Sequence, residues 1–487
     1  MIVLSRRSFI KTSALAAAGS ALSPRSWAQV PGANSDVRLA VIGCDFPGGR
    51  GQNHLKSFGE VPGLRIAAIC DVDTVNLERT KAALKQKGTD VETFVDFRDV
   101  LARADIDAVS IATPNHLHAL VAIWACQAGK DVYLEKPISH NVWEGRQVVR
   151  AAARYGRVVE AGMQCRSSTS LAEAAAWIQA GNLGKIRVAR GLCYKRRDSI
   201  GLSEGPQSVP STVNYDLWLG PAPMEAPRRK RFHYDWHWFW ATGNGDLGNQ
   251  GIHQMDIARW FLGEPGIAAH TLSVGGRLGY TDDGETPNTQ VIVHDYARAP
   301  LVFEVRGLTE SASSTTMDRY PSGKLGASIG VVVECEGGNL VIPDYTSAHA
   351  YDTKGQLLKS FSGATSHFQN FIDVVRSRRL ADLKAPIAEG HVSSALCHTG
   401  NVSQKLGAEL QPDALREHIR GNSAMSEAFG RMSEHLARHQ VDLGRTPALC
   451  GLPLHFNPDA ERFVDNDAAN ALLTRDYRKP FVVPDLA

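Results

Sequence analysis

The chain has 487 residues, enough for two or three domains at about 150 residues each. Hydrophobic residues make up 43% and charged residues 21%, an ordinary globular composition that excludes a disordered or collagenous chain. Lys plus Arg is 53 against 51 Asp plus Glu, which argues against a general nucleic-acid binder and gives no strong draw to anionic membrane.

The N-terminus reads as a targeting signal. Ser5 to Lys11 (SRRSFIK) holds a twin-arginine pattern, and an Ala-rich apolar stretch follows from Thr12 to Leu22. That stretch is shorter than the about 20 residues a transmembrane helix needs, and no later segment is apolar for long enough. Ser26-Trp27-Ala28 puts small residues at the two positions a signal peptidase reads, so cleavage is expected after Ala28. The twin-arginine route exports folded proteins, typically ones that bind a cofactor first, so a periplasmic or otherwise exported location is expected. The segment 1–28 carries four basic side chains and no acid, so without it the balance of +2 becomes −2. The eight Cys are scattered with no Cys-x-x-Cys pair, and read as buried thiols rather than a disulfide framework or zinc site.

From Val37 the chain alternates strands and helices. Val37 to Gly43, Leu64 to Cys70, Ile106 to Thr113, Asp131 to Lys136 and Arg157 to Met163 read as apolar strands. Helices are predicted over Asp73 to Gly88, Leu117 to Gln127 and His140 to Tyr155. Continuous apolar strands between helices predict a doubly wound parallel sheet of the Rossmann class over 36–163, with ligands beyond the strand C-termini.

The first strand ends in a glycine loop, Gly43 to Gly51, with Gly43, Gly49, Arg50 and Gly51 as candidate cofactor contacts. It is not a clean G-x-G-x-x-G, and looks like that loop with residues inserted at Asp45 to Gly48. Glycines there let backbone N–H groups approach a pyrophosphate; a ligand-free turn is the plainer reading. Asp71 follows the second strand, where a carboxylate accepts from a ribose hydroxyl and repels a 2′-phosphate, favouring NAD over NADP. A helix cap or turn competes for Asp71. The next strand ends carry Thr113, Pro114, Asn115 and His118, then Glu135-Lys136-Pro137. An X-Pro bond is one of the few that adopts cis, and such a bond would aim Lys136 at a substrate hydroxyl.

In this order, the glycine loop, Asp71, the Thr-Pro-Asn-x-x-His stretch and Glu-Lys-Pro resemble the glucose-fructose oxidoreductase / inositol dehydrogenase / rhizopine-catabolism (Gfo/Idh/MocA) family. The resemblance runs over most of Val37 to about Gly407. It implies a Rossmann domain, then an α/β domain with an open, mainly antiparallel sheet that mediates homo-oligomerisation. It also implies tightly bound NAD(P) and a sugar or cyclitol substrate.

The second domain, expected over 164–410, is strand-rich: Lys185 to Lys195 reads as one strand, and Val291 to Arg306 and Val331 to Ile342 contain others. One helix is predicted over Asp246 to Phe261, with Asn249, His253, Asp256 and Trp260 on one side. A family helix of this kind carries Asp-x-x-x-His, whose His takes the hydroxyl proton while the Lys of Glu-Lys-Pro assists. His253 matches that His, but the position four before it is Asn249, which cannot carry charge. The aromatic run His233 to Trp240 suits a sugar platform, with Trp238 as the candidate, or else an ordinary core or interface segment. Gln164, Arg166, Lys195, Arg196 and Asp256 complete the candidate substrate contacts, and no metal is expected. Helices are read in the C-terminal part, one from Phe368 to Val375 and one from His391 to Leu406. The tail 411–487 is expected to wrap the domains.

The leading expectation is an exported NAD-dependent oxidoreductase acting on a carbohydrate CHOH group, with Lys136 and His253 in the chemistry. A glycoside hydrolase or lyase that uses bound NAD transiently competes with it, and transhydrogenation between two sugars is a third option. A non-enzymatic carbohydrate-binding protein with a degenerate site is the fourth.

Overall fold

The structure is a computed structural model that describes residues 36–321 and 325–486. The twin-arginine segment and its predicted cleavage point lie outside the described residues.

The first domain follows the apolar runs. Its elements are β1 (Val37–Ile42), α1 (Arg50–Gly59), β2 (Leu64–Cys70), α2 (Thr74–Gln86), β3 (Glu92–Phe94), β4 (Ala108–Ile111), α3 (Asn115–Gln127), β5 (Asp131–Leu134), α4 (Val142–Arg154) and β6 (Val159–Ala161). The strands form one parallel sheet in the order β3-β2-β1-β4-β5-β6. Every residue of β4 and β5 is buried, because helices cover both faces, and this is why those strands read as unbroken apolar runs. The chain winds outward from β1 in both directions, so a crevice opens where β1 and β4 part at their C-terminal ends. Asp73 caps α2 by accepting from the Val75 N–H at 3.0 Å.

After α5 (Thr169–Gln179) the chain builds a 12-stranded mixed sheet. Its strands are β7 (Ile186–Tyr194), β8 (His270–Gly276), β9 (Thr289–Asp295), β10 (Leu301–Arg306), β11 (Ile329–Cys335), β12 (Gly338–Ile342), β13 (Ser347–Asp352), β14 (Leu357–Ser362), β15 (Ala408–Leu410), β16 (Ala448–Cys450), β17 (Leu454–Asn457) and β18 (Arg462–Phe463). Among the described residues of this sheet, only the β7–β10 pair is parallel. One face packs on α6 (Ile252–Leu262) and α7 (Ile387–Lys405), with Met255, Phe261 and Leu396 against Ile292, Phe303 and Val331.

The sheet is open and mainly antiparallel, and its other face is covered as well. Val188, Val274, Val291 and Val302 are covered by Leu415 of α8 (Pro412–Ile419) and by Phe429 and Met432 of α9 (Ser423–Ala437). Each such side chain removed from water contributes about 1.5–3 kcal/mol. Below α9 the polar strand positions are met by charge: Glu304, 1% exposed, lies against Arg190, Arg306 and Arg431. The tail then supplies β16 and β17 to the second sheet, and Phe481, Val483 and Leu486 to the core of the first domain. All eight Cys are buried free thiols. No helix among the described residues is long and apolar enough to cross a membrane.

Candidate functional site

The crevice beyond β1 and β4 is a cleft of about 300 Å³. The turn out of β1 brings the glycine loop to its floor. Gly43 has φ +92°, and a Cβ there would stand 2.7 Å from the Ala112 carbonyl carbon. A Cβ on Gly51 would stand 1.8 Å from Gly43 O, so α1 starts in direct backbone contact with the loop. Gly49 donates to Asp45 O at 2.7 Å and closes the inserted residues into a compact turn.

Asp71 anchors that loop. Its Oδ2 accepts from the N–H groups of Cys44 at 2.7 Å and Asp45 at 3.1 Å, and its Oδ1 from that of Asp73 at 2.9 Å. Burial raises the carboxyl and these three donors oppose the rise. A carboxylate has about four lone-pair sites, so one remains for a ligand hydroxyl on the wall of the cleft. Thr113 lines the same cleft, and its Oγ1 is buried with no hydrogen-bond partner. Pro114, Asn115 and His118 line it too. Asn115 donates to Asn244 Oδ1 at 3.1 Å, while His118 lies between Pro137 O at 2.6 Å and Thr113 O at 2.7 Å. These two tie strand ends and domains together.

Glu135 is the electrostatic hub. It is 3% exposed and takes Arg50 Nε at 2.7 Å, His54 Nε2 at 3.0 Å and Gln164 Nε2 at 3.3 Å. Burial alone would push its carboxyl up; Arg50, His54 and Lys136 outweigh that and hold it well below the usual carboxylate range. Lys136 follows across a cis Lys136–Pro137 bond. Its ammonium donates to Asn249 O at 2.5 Å. Burial lowers Lys136 to about 8, with Glu135 opposing and Arg50 and Lys195 assisting. Lys136 and Asn249 both face the cleft.

The predicted helix 246–261 divides in two. Leu247–Gly251 is a π-helical turn and α6 begins only at Ile252. Such turns widen the helix and concentrate at functional sites. Here the turn carries Asn249. His253, one turn on, is 6% exposed and packs on the Tyr345 ring at 5.1 Å, with its Nδ1 unpartnered. Burial first, then the Lys136 charge, lower it to about 3. It does not line the cleft itself.

Several predicted contacts sit elsewhere. Trp238, 4% exposed, packs beneath the Arg197 guanidinium at 5.2 Å, outside the cleft wall. Asp256 is held by Arg166 at 2.8 Å and by Ser393 at 2.6 Å, with Glu389 also on Arg166 at 3.0 Å. This is a closed charge network that leaves neither Arg166 nor Asp256 facing the cleft. Gln164 stands behind Glu135, donating to Tyr133 OH at 2.8 Å. Arg196 pairs with Asp198 at the surface at 2.8 Å. Lys195 reaches Gln250 Oε1 at 3.4 Å.

Four residues not singled out as candidate contacts help shape the site. His54 joins Ser110 and Glu135 within the first domain. His233, Trp236 and His237 roof the cleft, stitched to the first domain by His233 Nε2 to Asp73 Oδ2 at 2.9 Å. The aromatic run was visible in the sequence; its place over the cleft depends on that long-range contact.

The geometry thus combines a glycine cradle, a ribose-type carboxylate and a buried ammonium in one cleft. Residues 37–163 match the Gfo/Idh/MocA model described as "Oxidoreductase family, NAD-binding Rossmann fold", and residues 185–292 match its "Oxidoreductase family, C-terminal alpha/beta domain". The chain belongs to the Gfo/Idh/MocA oxidoreductase family. Within the family it is 28% identical over 269 residues to "Levoglucosan dehydrogenase" of Pseudarthrobacter phenanthrenivorans, covering 53% of this chain and 61% of that protein. It is 35% identical over 161 residues to "Glycosyl hydrolase family 109 protein 2" of Shewanella sp. (strain ANA-3), covering 28% of this chain and 35% of that one. The chain therefore spans between 35% and 61% of the length of these curated relatives. The fold is shared with the WlbA dehydrogenase of Bordetella pertussis, solved with NADH and UDP-GlcNAcA. The TM-score is 0.52 at 21% identity, over 74% of this chain and 94% of that one. The family assignment makes the glycine cradle, Asp71 and the unpartnered Thr113 hydroxyl a fitting set for a nicotinamide dinucleotide.

Proposed function

We propose that this protein is an NAD-dependent oxidoreductase acting on a CHOH group of a sugar, cyclitol or derivative, exported through the twin-arginine route with its cofactor tightly held. The observation that carries the reading is the Lys136 ammonium, lowered to about 8 and facing the cleft beside Asn249. Bound NAD would supply the hydride acceptor. The glycine loop would hold the pyrophosphate, and Asp71 would take a ribose hydroxyl while repelling a 2′-phosphate. Protonated Lys136 would donate to the reacting hydroxyl oxygen and stabilise the charge it develops. His253, kept neutral near pH 7 by burial, would accept the proton. Preparing Lys136→Ala and His253→Ala with nucleotide still bound tests these roles; undiminished turnover in either rejects its role.

A second reading is supported by the glycosyl hydrolase family 109 relative and by Asn249 standing where a dehydrogenase helix carries Asp. In it, a sugar is oxidised, loses its aglycone, adds water and is reduced again, with no net redox change. An exported enzyme would then need no free NAD pool. Aryl glycosides incubated without added NAD discriminate: aglycone release favours this cycle, and its absence across sugars and linkages favours net oxidation.

Mass spectrometry of the nucleotide released on denaturation tests tight binding, and fractionation of the producing cell tests export. Leu357 and Leu358, 57% and 54% exposed on the edge strand β14, support a homo-oligomer, which sedimentation tests.

A further inference from the structure

His54 lies on α1, one turn in from the glycine loop, and is fully buried. Both of its ring nitrogens meet side chains: Nδ1 is 2.7 Å from Ser110 Oγ and Nε2 is 3.0 Å from Glu135 Oε1. Glu135 is held as a carboxylate, which only accepts. That fixes the tautomer. His54 donates from Nε2 to Glu135, and the Ser110 hydroxyl donates to Nδ1. Burial lowers His54 below 6.5, with Glu135 opposing and Arg50 assisting, so the ring is neutral near pH 7. Its titratable neighbours are Arg50, Glu135, Tyr133 and His367. Rings box it in at 5.2 Å for Tyr133, 5.7 Å for Phe368 and 6.3 Å for Phe58, which holds the plane of the imidazole.

A histidine with a purely structural task bonds main-chain groups, as His118 does between Pro137 O and Thr113 O. His54 instead bonds the carboxylate next to Lys136. The other oxygen of that carboxylate, Oε2, accepts from the Lys136 N–H at 3.1 Å. A Cβ on Gly162 would stand 2.9 Å from Glu135 Oε1, so the carboxylate has little room to turn while its donors stay in place. Burial disfavours the Lys136 ammonium; Glu135 is the largest influence in its favour, and Arg50 and Lys195 act against it. A neutral His54 orients the Glu135 charge without cancelling it, as an imidazolium would.

We propose that His54 is a positioning residue, a neutral imidazole that fixes the Glu135 carboxylate and through it the charge state of Lys136. The use of that charge in catalysis rests on the function proposed above; the link from His54 to Lys136 does not.

The test therefore reads Lys136 without turnover. Lys136 lines the cleft, and competitive acetylation of the full chain with acetic anhydride, followed by mass spectrometry of the peptide carrying Lys136, gives the titration midpoint of its amine. The midpoint is expected at about 8 in the wild type. It is expected to fall in His54→Leu, because Glu135 loses a donor and its charge no longer stays fixed beside the ammonium. His54→Gln carries an amide to the place of Nε2, keeps a donor for Glu135, and is expected to restore the midpoint. Should His54→Leu fail to fold, His54→Asn replaces it: the shorter amide stays near Ser110 and leaves Glu135 without that donor. An unmoved midpoint in the Leu or Asn variant would overturn the proposal, and so would a fall that His54→Gln shares. A midpoint that falls while kcat/KM and its pH profile hold supports this link and rejects the role given to Lys136, so the two readings fail separately.

Discussion

Lys136 meets Asn249 through the main chain: its ammonium donates to the Asn249 carbonyl oxygen at 2.5 Å. The Asn249 side chain is not part of that bond, so it can be exchanged without removing the contact. Asn249→Asp would set a carboxylate beside Lys136 and raise it above about 8, because an opposite charge favours the ammonium. The proposed role needs the ammonium, so kcat/KM should fall as pH rises through about 8, and this limb should move up in the variant. A pH–rate profile with an unmoved limb would show that another group controls it.

Asp71 should set nucleotide choice. Asp71→Asn removes the charge that opposes a 2′-phosphate while keeping an oxygen for the loop N–H groups at Cys44 and Asp45. The preference for NAD over NADP should drop by about tenfold, equivalent to about 1.4 kcal/mol. Fluorescence titration with both nucleotides measures this, and an unchanged ratio would mean the position is not read.

Gly51→Ala should disrupt the loop. The added methyl would stand 1.8 Å from Gly43 O, and a backbone oxygen cannot rotate aside as a side chain can. A loss of about 3 kcal/mol, together with loss of nucleotide binding, is expected in denaturant titrations. A variant with wild-type midpoint would show that α1 can slide.

Acid should destabilise the protein through its buried histidines. His294 is fully buried and burial lowers it to about 3, against 6.5 for an unperturbed histidine. The folded state then holds fewer protons than the unfolded state between those values. Its stabilising contribution is present above pH 6.5 and is lost as pH falls toward 3. At pH 5 the loss is about 2 kcal/mol for such a group. His294→Gln should flatten the fall of melting temperature between neutral pH and pH 5. Parallel curves for the two proteins would rule out a titrating His294.

The parallel sheet was legible because burial on both faces writes itself as continuous apolar runs, as in Ala108–Ile111 and Asp131–Leu134. Lys136 and Asp71 were legible by position, since strand ends in such sheets face the crevice. Other features depend on contacts that periodicity does not encode. His54 meets Glu135 across 81 residues. The π-helical turn at Leu247–Gly251 holds a single apolar side chain, Leu247, too few to show a period of its own, so the sequence reads as one helix with Ile252, Met255, Ala258 and Leu262. Trp238 and the cleft-lining Trp236 differ by two positions in one aromatic run, and they part through tertiary contacts: Arg197 packs over Trp238, while Trp236 donates to His233 O at the cleft. The apolar stripe of α9 is plain enough, but which surface it covers is a tertiary fact.

Phe481, Val483 and Leu486 pack among Ile111, Leu120 and Val132 in the first domain's core. Phe481 follows the last residue of β6, Ala161, by 320 positions in the chain. A ribosome therefore makes the whole of the second sheet before it delivers the side chains that finish filling the first domain's interior.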